Sequence, residues 1–300
     1  MTPSASLQAL LTGAIDYAGL FPPSKLTMQD AVARYADYRG VAESWALGRF
    51  VVPVSRLEEF ATALASVGAT GQGWRLSALL GENPATDGPR IRSFNAANAG
   101  SAFVDSAEMK VNGSPSVARK AIATAVAQLP PSTRLFVELP LGDDLHGFMA
   151  AVATENAGAK VRTGGVTPDA FPDVRQLAQF LLSCAEHDTH FKATAGLHHP
   201  WRGQYALTYE PQSPTAAMFG FLNVLVAAAV VRKGATEAEV VEVLAMERGS
   251  DVRFSDEEIR WRDWRLERRE LFETHATFAL SFGSCSFEEP VADLRRLALL

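Results

Sequence analysis

Apolar residues in this chain fall into short continuous runs that alternate with stretches of helical spacing. Val174, Leu177 and Leu181 recur every three to four residues, which predicts an amphipathic helix. The run 134–140 is short and mostly apolar, which is typical of a buried strand. Similar runs predict further strands. They lie within residues 13–23, 45–54, 74–80, 91–94, 102–104, 108–111, 158–164, 191–196 and 277–282.

The alternation of strands and helices predicts a parallel sheet with crossover helices. About eight such units over the chain length favour a single (β/α)8 TIM barrel spanning residues 1–300. We expect a helical insertion at about 216–274, before the last strand, ending in a charged helix over Ser255–Thr274. A doubly wound open sheet ranks second, because no Gly-x-Gly-x-x-Gly motif follows the first strand.

Polar residues on two neighbouring predicted strands form the first candidate site. Alternate residues of a strand share one face, so Lys160 and Arg162 point one way, as do Lys192 and Thr194. Buried lysines are rare without a reason, and a desolvated lysine beside another cation has a lowered pKa. We therefore expect Lys192 to be a Schiff-base nucleophile whose pKa is lowered by Lys160, with Glu138 moving protons. A buried Lys192–Glu138 ion pair, or a lysine that binds an anion, are the alternatives.

The segment Phe191–Gly196 (Phe-Lys-Ala-Thr-Ala-Gly) resembles the Schiff-base strand of deoxyribose-phosphate aldolases. The resemblance implies a class I aldolase-like barrel in which Lys192 forms the Schiff base and Lys160 is the second, perturbing lysine. In that family the Schiff-base strand comes first along the chain, and here the order is reversed. The adjacent His198 and His199 have no counterpart in the family.

Residues at other predicted strand ends complete the candidate site. Asp16, near the end of the first strand, is a proton-transfer carboxylate or a loop cap. Arg162 is suited to a carboxylate or phosphate, and His198 and His199 to positioning an anion. We expect Thr194 to be a further substrate-binding residue. Gly283 and Ser284, in a predicted polar loop over 283–286, offer backbone donors for phosphate or form an ordinary turn.

Three classes of function remain open from these residues. The first is a lyase of aldolase type that acts on a small anionic carbonyl metabolite and needs no cofactor. The second is a divalent-metal-dependent lyase, isomerase or hydrolase that uses Glu138, His198 and Asp16 as ligands. The third is a non-catalytic barrel that binds a ligand or a partner.

Composition and charge indicate which partners and which cellular compartment to expect. A net charge of -6 argues against nucleic acid, and no apolar stretch reaches the roughly 20 residues that span a membrane. Cys184 and Cys285 indicate free thiols in a reducing compartment; we expect Cys184 in the core and Cys285 in a structural role. The first residues lack the basic region of a signal peptide, so we expect a cytoplasmic protein. Barrels often associate through their outer helices, and a homodimer is expected.

Overall fold

The computed structural model describes residues 2–300. Seven parallel strands follow one another from the N-terminus, each separated from the next by helical segments. They are β1 (Ile15–Tyr17), β2 (Leu47–Pro53), β3 (Trp74–Leu79), β4 (Ala102–Lys110), β5 (Arg134–Glu138), β6 (Gly158–Arg162) and β7 (Phe191–Thr194).

The helices of this part lie before and between the strands. They are α1 (Ala5–Leu11), α2 (Met28–Arg39), α3 (Leu57–Ser66), α4 (Pro84–Ala97), α5 (Pro115–Gln128), α6 (Leu145–Thr154) and α7 (Val174–Glu186). Short 3-10 turns occupy 42–46, 54–56 and 168–170. The strand predicted at 91–94 is wrong, because these residues lie inside α4, where Ile91 and Phe94 are the buried positions of a helical repeat.

Helix α7 shows how local sequence fixes an element. Asp173 caps its start by accepting from the Gln176 amide, while the Gln176 side chain accepts from the Asp173 amide. Such reciprocal caps stabilise a helix by about 1 kcal/mol. The predicted apolar face is buried, with Leu177 and Leu181 fully inaccessible. Phe180 of this helix packs edge-to-face on Phe191 of β7, one of the two strands that carry the lysines.

A long insertion separates β7 from the last barrel strand, as predicted, but it is not wholly helical. Its elements are β8 (Gly203–Ala206), β9 (Thr215–Met218), α8 (Phe221–Arg232), α9 (Glu237–Ala245), β10 (Val252–Phe254), β11 (Glu258–Trp261), β12 (Trp264–Glu267) and α10 (Arg268–Thr277). Strands β8 and β9 form an antiparallel hairpin ahead of its first helix. Residues of α8 are buried on all sides except at its last position.

The charged helix predicted over Ser255–Thr274 is wrong in its first half. Strands β10, β11 and β12 form an antiparallel sheet there, and helix begins only at Arg268. Ile259, Trp261 and Leu266 are buried while the intervening arginines are exposed, which is the two-residue period of a sheet. The Glu and Arg residues happen to be spaced at helical intervals, which led to the wrong prediction of a helix.

Strand β13 (Ala279–Ser284) and helix α11 (Glu288–Arg296) complete the fold. The barrel closes in the order β1-β13-β7-β6-β5-β4-β3-β2, which confirms the predicted (β/α)8 architecture. Gly283 and Ser284 belong to β13 and pair with β1, so the polar loop predicted at 283–286 begins later than expected. No helix among residues 2–300 is long and apolar enough to cross a membrane.

Candidate active site

Five charged side chains meet inside the barrel. We call this set the floor network, and its members are Asp16 (β1), Glu108 (β4), Glu138 (β5), Lys160 (β6) and Lys192 (β7). All except Glu138 are classed as buried. Buried charges persist in proteins only when they are paired, and here each has a partner of opposite sign.

Glu108 joins the two lysines. Its Oε2 lies 2.7 Å from Lys160 Nζ, and its Oε1 lies 2.6 Å from Lys192 Nζ. The Ser77 hydroxyl also donates to Oε1 at 2.7 Å. Burial by itself would raise the pKa of Glu108, but the two ammonium groups outweigh burial and hold that pKa well below its usual range. Glu108 is therefore a permanent anion that keeps the lysines together.

Lys192 is surrounded by oxygen atoms. Its Nζ lies 2.7 Å from Asp16 Oδ2, 2.6 Å from Glu108 Oε1 and 3.5 Å from Ser77 Oγ, so all three ammonium donors have partners. Burial would lower the pKa of Lys192, but the two carboxylates raise it. The predicted lowering of this pKa by Lys160 is wrong, because Glu108 stands between the two cations. Lys192 pairs with Asp16 and Glu108, not with Glu138 as the ion-pair alternative had it.

Asp16 is fixed by backbone and side-chain donors. The Arg49 amide donates to Oδ1 at 2.7 Å, and the Ser281 hydroxyl donates to Oδ2 at 2.8 Å. A Cβ atom at position 48 would lie 2.5 Å from Oδ1, which explains why Gly48 occupies it. Asp16 is fully buried within β1, so it is not a loop cap.

Lys160 and Glu138 are the network members nearest to solvent. Their Nζ and Oε2 atoms lie 3.0 Å apart, and their side chains are 8% and 13% exposed, against 2% for Lys192. Lys160 Nζ contacts two carboxylate oxygens, which leaves one donor direction without a protein partner among the described contacts. This lysine is the more accessible of the two to a ligand.

A cavity of about 250 Å³ lies over the network. Lys160, Lys192, Glu108 and Glu138 line it, together with most of the predicted substrate-binding residues. Those residues are Arg162, Thr194, His198, His199 and Gly283. The cavity lies at the carboxyl ends of the strands, the end at which barrel enzymes carry their active sites.

His199 and Arg162 lie at different positions along the cavity wall. His199 Nδ1 is 2.6 Å from Asp293 Oδ2, and its ring stacks on Tyr205 with centroids 3.6 Å apart. These contacts fix the ring, and with it one wall of the cavity. Arg162 is exposed at the end of β6 and is available to an incoming anion.

A second polar group borders the cavity above the floor network. We call His198, Tyr209, Cys285 and Glu289 the rim cluster, because these residues come from segments that follow or cover the strand ends. Glu289 Oε2 lies 3.0 Å and Cys285 Sγ 3.9 Å from His198 Nδ1. Tyr209 donates its hydroxyl to Glu289 Oε2 at 2.9 Å.

The charges of the rim cluster shift one another's pKa values. Burial would lower the pKa of His198, but its contacts with Cys285 and Glu289 raise it to about 10. Burial would raise the pKa of the Cys285 thiol, whereas the His198 imidazolium lowers it. The structural role expected for Cys285 overlooked this neighbour. Ser284 is buried with its hydroxyl 3.5 Å from the same imidazole nitrogen. Cys184 is a core residue, as predicted.

The metal ligands predicted from the sequence are not brought together. Asp16 and Glu138 are held by Lys192 and Lys160 in the floor network. Over residues 2–300, the group of close ligand atoms that contains His198 consists of His198, Cys285 and Glu289. Any metal chemistry of His198 would therefore involve the rim cluster.

Glu108 is the central residue that sequence reasoning missed. It shares one face of β4 with Ser106, although a register shift between Val104 and Ser106 interrupts the alternation earlier in the strand. Over residues 106–108 the alternation that pointed to Lys160 would also have pointed to Glu108. Glu289 and Tyr209 gave no such signal, because they lie on α11 and in the β8–β9 turn, and their approach to His198 depends on the barrel closing.

This chain was compared with protein families, with curated proteins and with solved structures. No protein-family model matches this chain, and no curated protein matches it, so neither supports the aldolase resemblance. Among solved structures, the fold is similar to the catalytic domain of a hyperthermophilic chitinase from Pyrococcus furiosus. That match has 12% sequence identity and a TM-score of 0.43, and it covers 79% of this chain and 92% of the other.

Proposed function

We propose that this protein is an enzyme that makes or breaks a carbon–carbon bond in a small anionic carbonyl compound through a Schiff base on a lysine. One observation carries the proposal: two lysines bridged by Glu108 lie at the base of a cavity of about 250 Å³ at the carboxyl end of the barrel. A cavity of this size suits a small metabolite, and exposed Arg162 at its wall suits a carboxylate or phosphate on that molecule.

The geometry favours Lys160 over Lys192 as the nucleophile. All three donors of Lys192 have partners, whereas Lys160 has a free direction and is more exposed. Lys192 then has a supporting role, because its charge keeps Glu108 ionised beside Lys160. The choice of Lys192 made from the sequence remains the alternative, and the experiment below separates the two.

The proposed reaction begins when the Lys160 ammonium gives a proton to Glu138, 3.0 Å away. The free amine attacks the substrate carbonyl carbon, and the carbonyl oxygen leaves as water after two proton transfers. The resulting iminium withdraws the electron pair of the bond between the α and β carbons of the substrate, as the hydroxyl on the β carbon loses its proton to a carboxylate. One carbonyl product departs, the enamine takes up a proton, and water releases the second product and the amine.

Reductive trapping tests the proposal. The full chain is incubated with a panel of small aldehydes and keto acids, reduced with borohydride, and analysed by intact mass and peptide mapping. We expect a single reduced adduct located on Lys160 by fragmentation, absent from Lys160→Arg and unchanged in Lys110→Arg, which alters an exposed lysine of β4. Peptide mapping of the wild type does not depend on the folding of any variant.

Two results would overturn the proposal in different ways. An adduct mapped to Lys192, and lost in Lys192→Arg, would reverse the roles of the two lysines. The absence of an adduct with every carbonyl compound, from protein that is folded by circular dichroism, would reject Schiff-base chemistry.

A further inference from the structure

We propose that His198, Cys285 and Glu289 bind a divalent transition-metal ion of zinc type at the rim of the cavity. This inference does not rest on the Schiff-base proposal, because it concerns other residues and is tested without a carbonyl substrate. The ligand atoms of these three residues all lie within 4.8 Å of one another, and all three residues line the cavity.

The topology brings the three residues together although they are far apart in sequence. Strands β7 and β13 are neighbours in the barrel. His198 lies just beyond the end of β7, Cys285 follows directly on β13, and Glu289 lies in the first turn of α11. The ligands thus stand on segments that leave two paired strands, so their backbone positions are held by the barrel itself.

The contacts converge on a single nitrogen atom, which argues against a catalytic triad. Glu289 Oε2, Cys285 Sγ and Ser284 Oγ are 3.0, 3.9 and 3.5 Å from the same atom, His198 Nδ1. One imidazole nitrogen carries at most one proton and cannot donate fully to all three. A nucleophile–base–orienter triad would instead use both ring nitrogens.

An ion placed between the three side chains would satisfy them together. Zinc lies about 2.0–2.1 Å from His nitrogen, about 2.3 Å from Cys sulfur and about 2.0–2.2 Å from carboxylate oxygen. In a tetrahedral site these bonds separate nitrogen from oxygen by about 3.4 Å and nitrogen from sulfur by about 3.6 Å. The observed separations of 3.0 and 3.9 Å differ from these values by a few tenths of an ångström, a shift that side-chain rotation provides.

The donor types select the class of ion. A thiolate and an imidazole favour zinc and its neighbours over Mg²⁺ and Ca²⁺, which prefer oxygen ligands alone. Three protein ligands leave a fourth position for water or substrate, the arrangement of catalytic zinc sites. The Tyr209 hydroxyl donates to Glu289 Oε2 at 2.9 Å and so holds the carboxylate in place, as hydrogen-bond donors to metal ligands commonly do.

Cobalt substitution tests the site on the full chain. Protein freed of metal by a chelator is titrated with Co²⁺, whose thiolate complexes give a charge-transfer band that other ligands do not. All variants carry His146→Ala, because His146, Glu186 and His187 form a second, mostly exposed group of close ligand atoms. We expect one ion per chain, a charge-transfer band lost in Cys285→Ser and retained in Cys184→Ser, and affinity weakened at least about tenfold in Glu289→Gln.

Alkylation provides a second measurement that needs no variant. Zinc should slow the reaction of Cys285 with iodoacetamide, as read by peptide mapping, and leave that of Cys184 unchanged. A folded protein that shows no charge-transfer band, or one that keeps the band in Cys285→Ser, would overturn the proposal. Equal alkylation of Cys285 with and without zinc would also contradict it.

Discussion

The floor network and the rim cluster are both built from charged side chains around one cavity, but they differ in how their charges are balanced. In the floor network each ammonium meets carboxylates from other barrel strands at 2.6–3.0 Å. In the rim cluster several acceptors crowd one nitrogen, at 3.0–3.9 Å. The first is a set of ion pairs, whereas in the second several side chains share the single His198 imidazole.

This difference in charge pairing indicates which of the two clusters stabilises the fold. Removing a buried member of the floor network leaves an uncompensated charge away from water, which is strongly destabilising. In the rim cluster Cys285 is buried, but the Glu289 side chain is 32% exposed, so water can take the place of this carboxylate at little cost. We therefore expect the floor network to control stability, and the rim cluster to control binding with little effect on stability.

The largest expected effect follows from replacing the shared anion. Glu108→Gln keeps the volume but leaves Lys160 and Lys192 without their common partner, so it should lower the free energy of unfolding by about 3–5 kcal/mol. Urea unfolding monitored by circular dichroism measures this. Glu155→Gln, which breaks the more exposed pair with Arg119, is the control and should cost less than about 1 kcal/mol. If Glu108→Gln lowers the free energy of unfolding no more than Glu155→Gln does, the floor network does not control stability.

A double-mutant cycle sharpens the same comparison. In Glu108→Gln with Lys160→Met the remaining Lys192 keeps Asp16, and Glu138 is exposed enough to be hydrated. The two changes together should therefore cost less than the sum of the single ones, by roughly 0.5–3 kcal/mol. The same urea experiment on four proteins gives this coupling. Additive costs would mean that Glu108 and Lys160 do not act as a pair.

His190, which belongs to neither cluster, should lose its contribution to stability at a higher pH than the floor network does. Burial and the nearby Arg134 lower the pKa of His190 from 6.5 to about 4, and its Nε2 atom is buried without a partner. The unfolded chain therefore takes up the proton first, and stability is lost as the pH falls from about 6.5 to about 4. After allowance for solvent screening, we expect this loss to be about 1–2 kcal/mol.

His190→Gln should abolish that loss when the free energy of unfolding is measured across this pH range. The pKa of Glu108 is lowered on folding, so its contribution is present above its ordinary pKa of 4.5 and disappears only as the pH falls below that value. If the free energy of unfolding of His190→Gln depends on pH as that of the wild type does, groups other than His190 cause the loss of stability above pH 4.5.

The smallest expected effect belongs to the rim cluster. Glu289→Gln keeps a hydrogen-bonding side chain at a partly exposed position, so the free energy of unfolding should change by less than about 1 kcal/mol. The same urea unfolding measures it, with the metal-free protein as reference. A loss comparable with that of Glu108→Gln would show that the two regions do not differ as described.

The sequence was sufficient for the barrel and for part of the floor network. Alternation along β6 and β7 placed Lys160 and Lys192 on one interior face, because a strand has a fixed two-residue period. It could not show that Glu108 lies between the two lysines, since the contact depends on how four strands pack side by side. For that reason the predicted lowering of the Lys192 pKa was wrong.

The rim cluster and the insertion illustrate a second limit. The contact between His198 and Glu289 spans 91 positions and forms only when β13 closes the barrel beside β7. In the insertion, charges spaced at helical intervals suggested one helix where β10–β12 form a sheet. Charges on a solvent-exposed face carry little information about period, and the buried Ile259, Trp261 and Leu266 carry the stronger signal.

The β8–β9 hairpin has a consequence for the time a ligand spends in the cavity. Its apolar residues Leu207, Ala216 and Met218 form a small cluster with Tyr205 and Phe171, separate from the main core. Leu207 and Met218 also line the cavity. Units held by few buried contacts open with lower free energy than the core. We therefore expect the residence time of a ligand to depend on this small cluster, and substitutions there should change it without weakening the barrel.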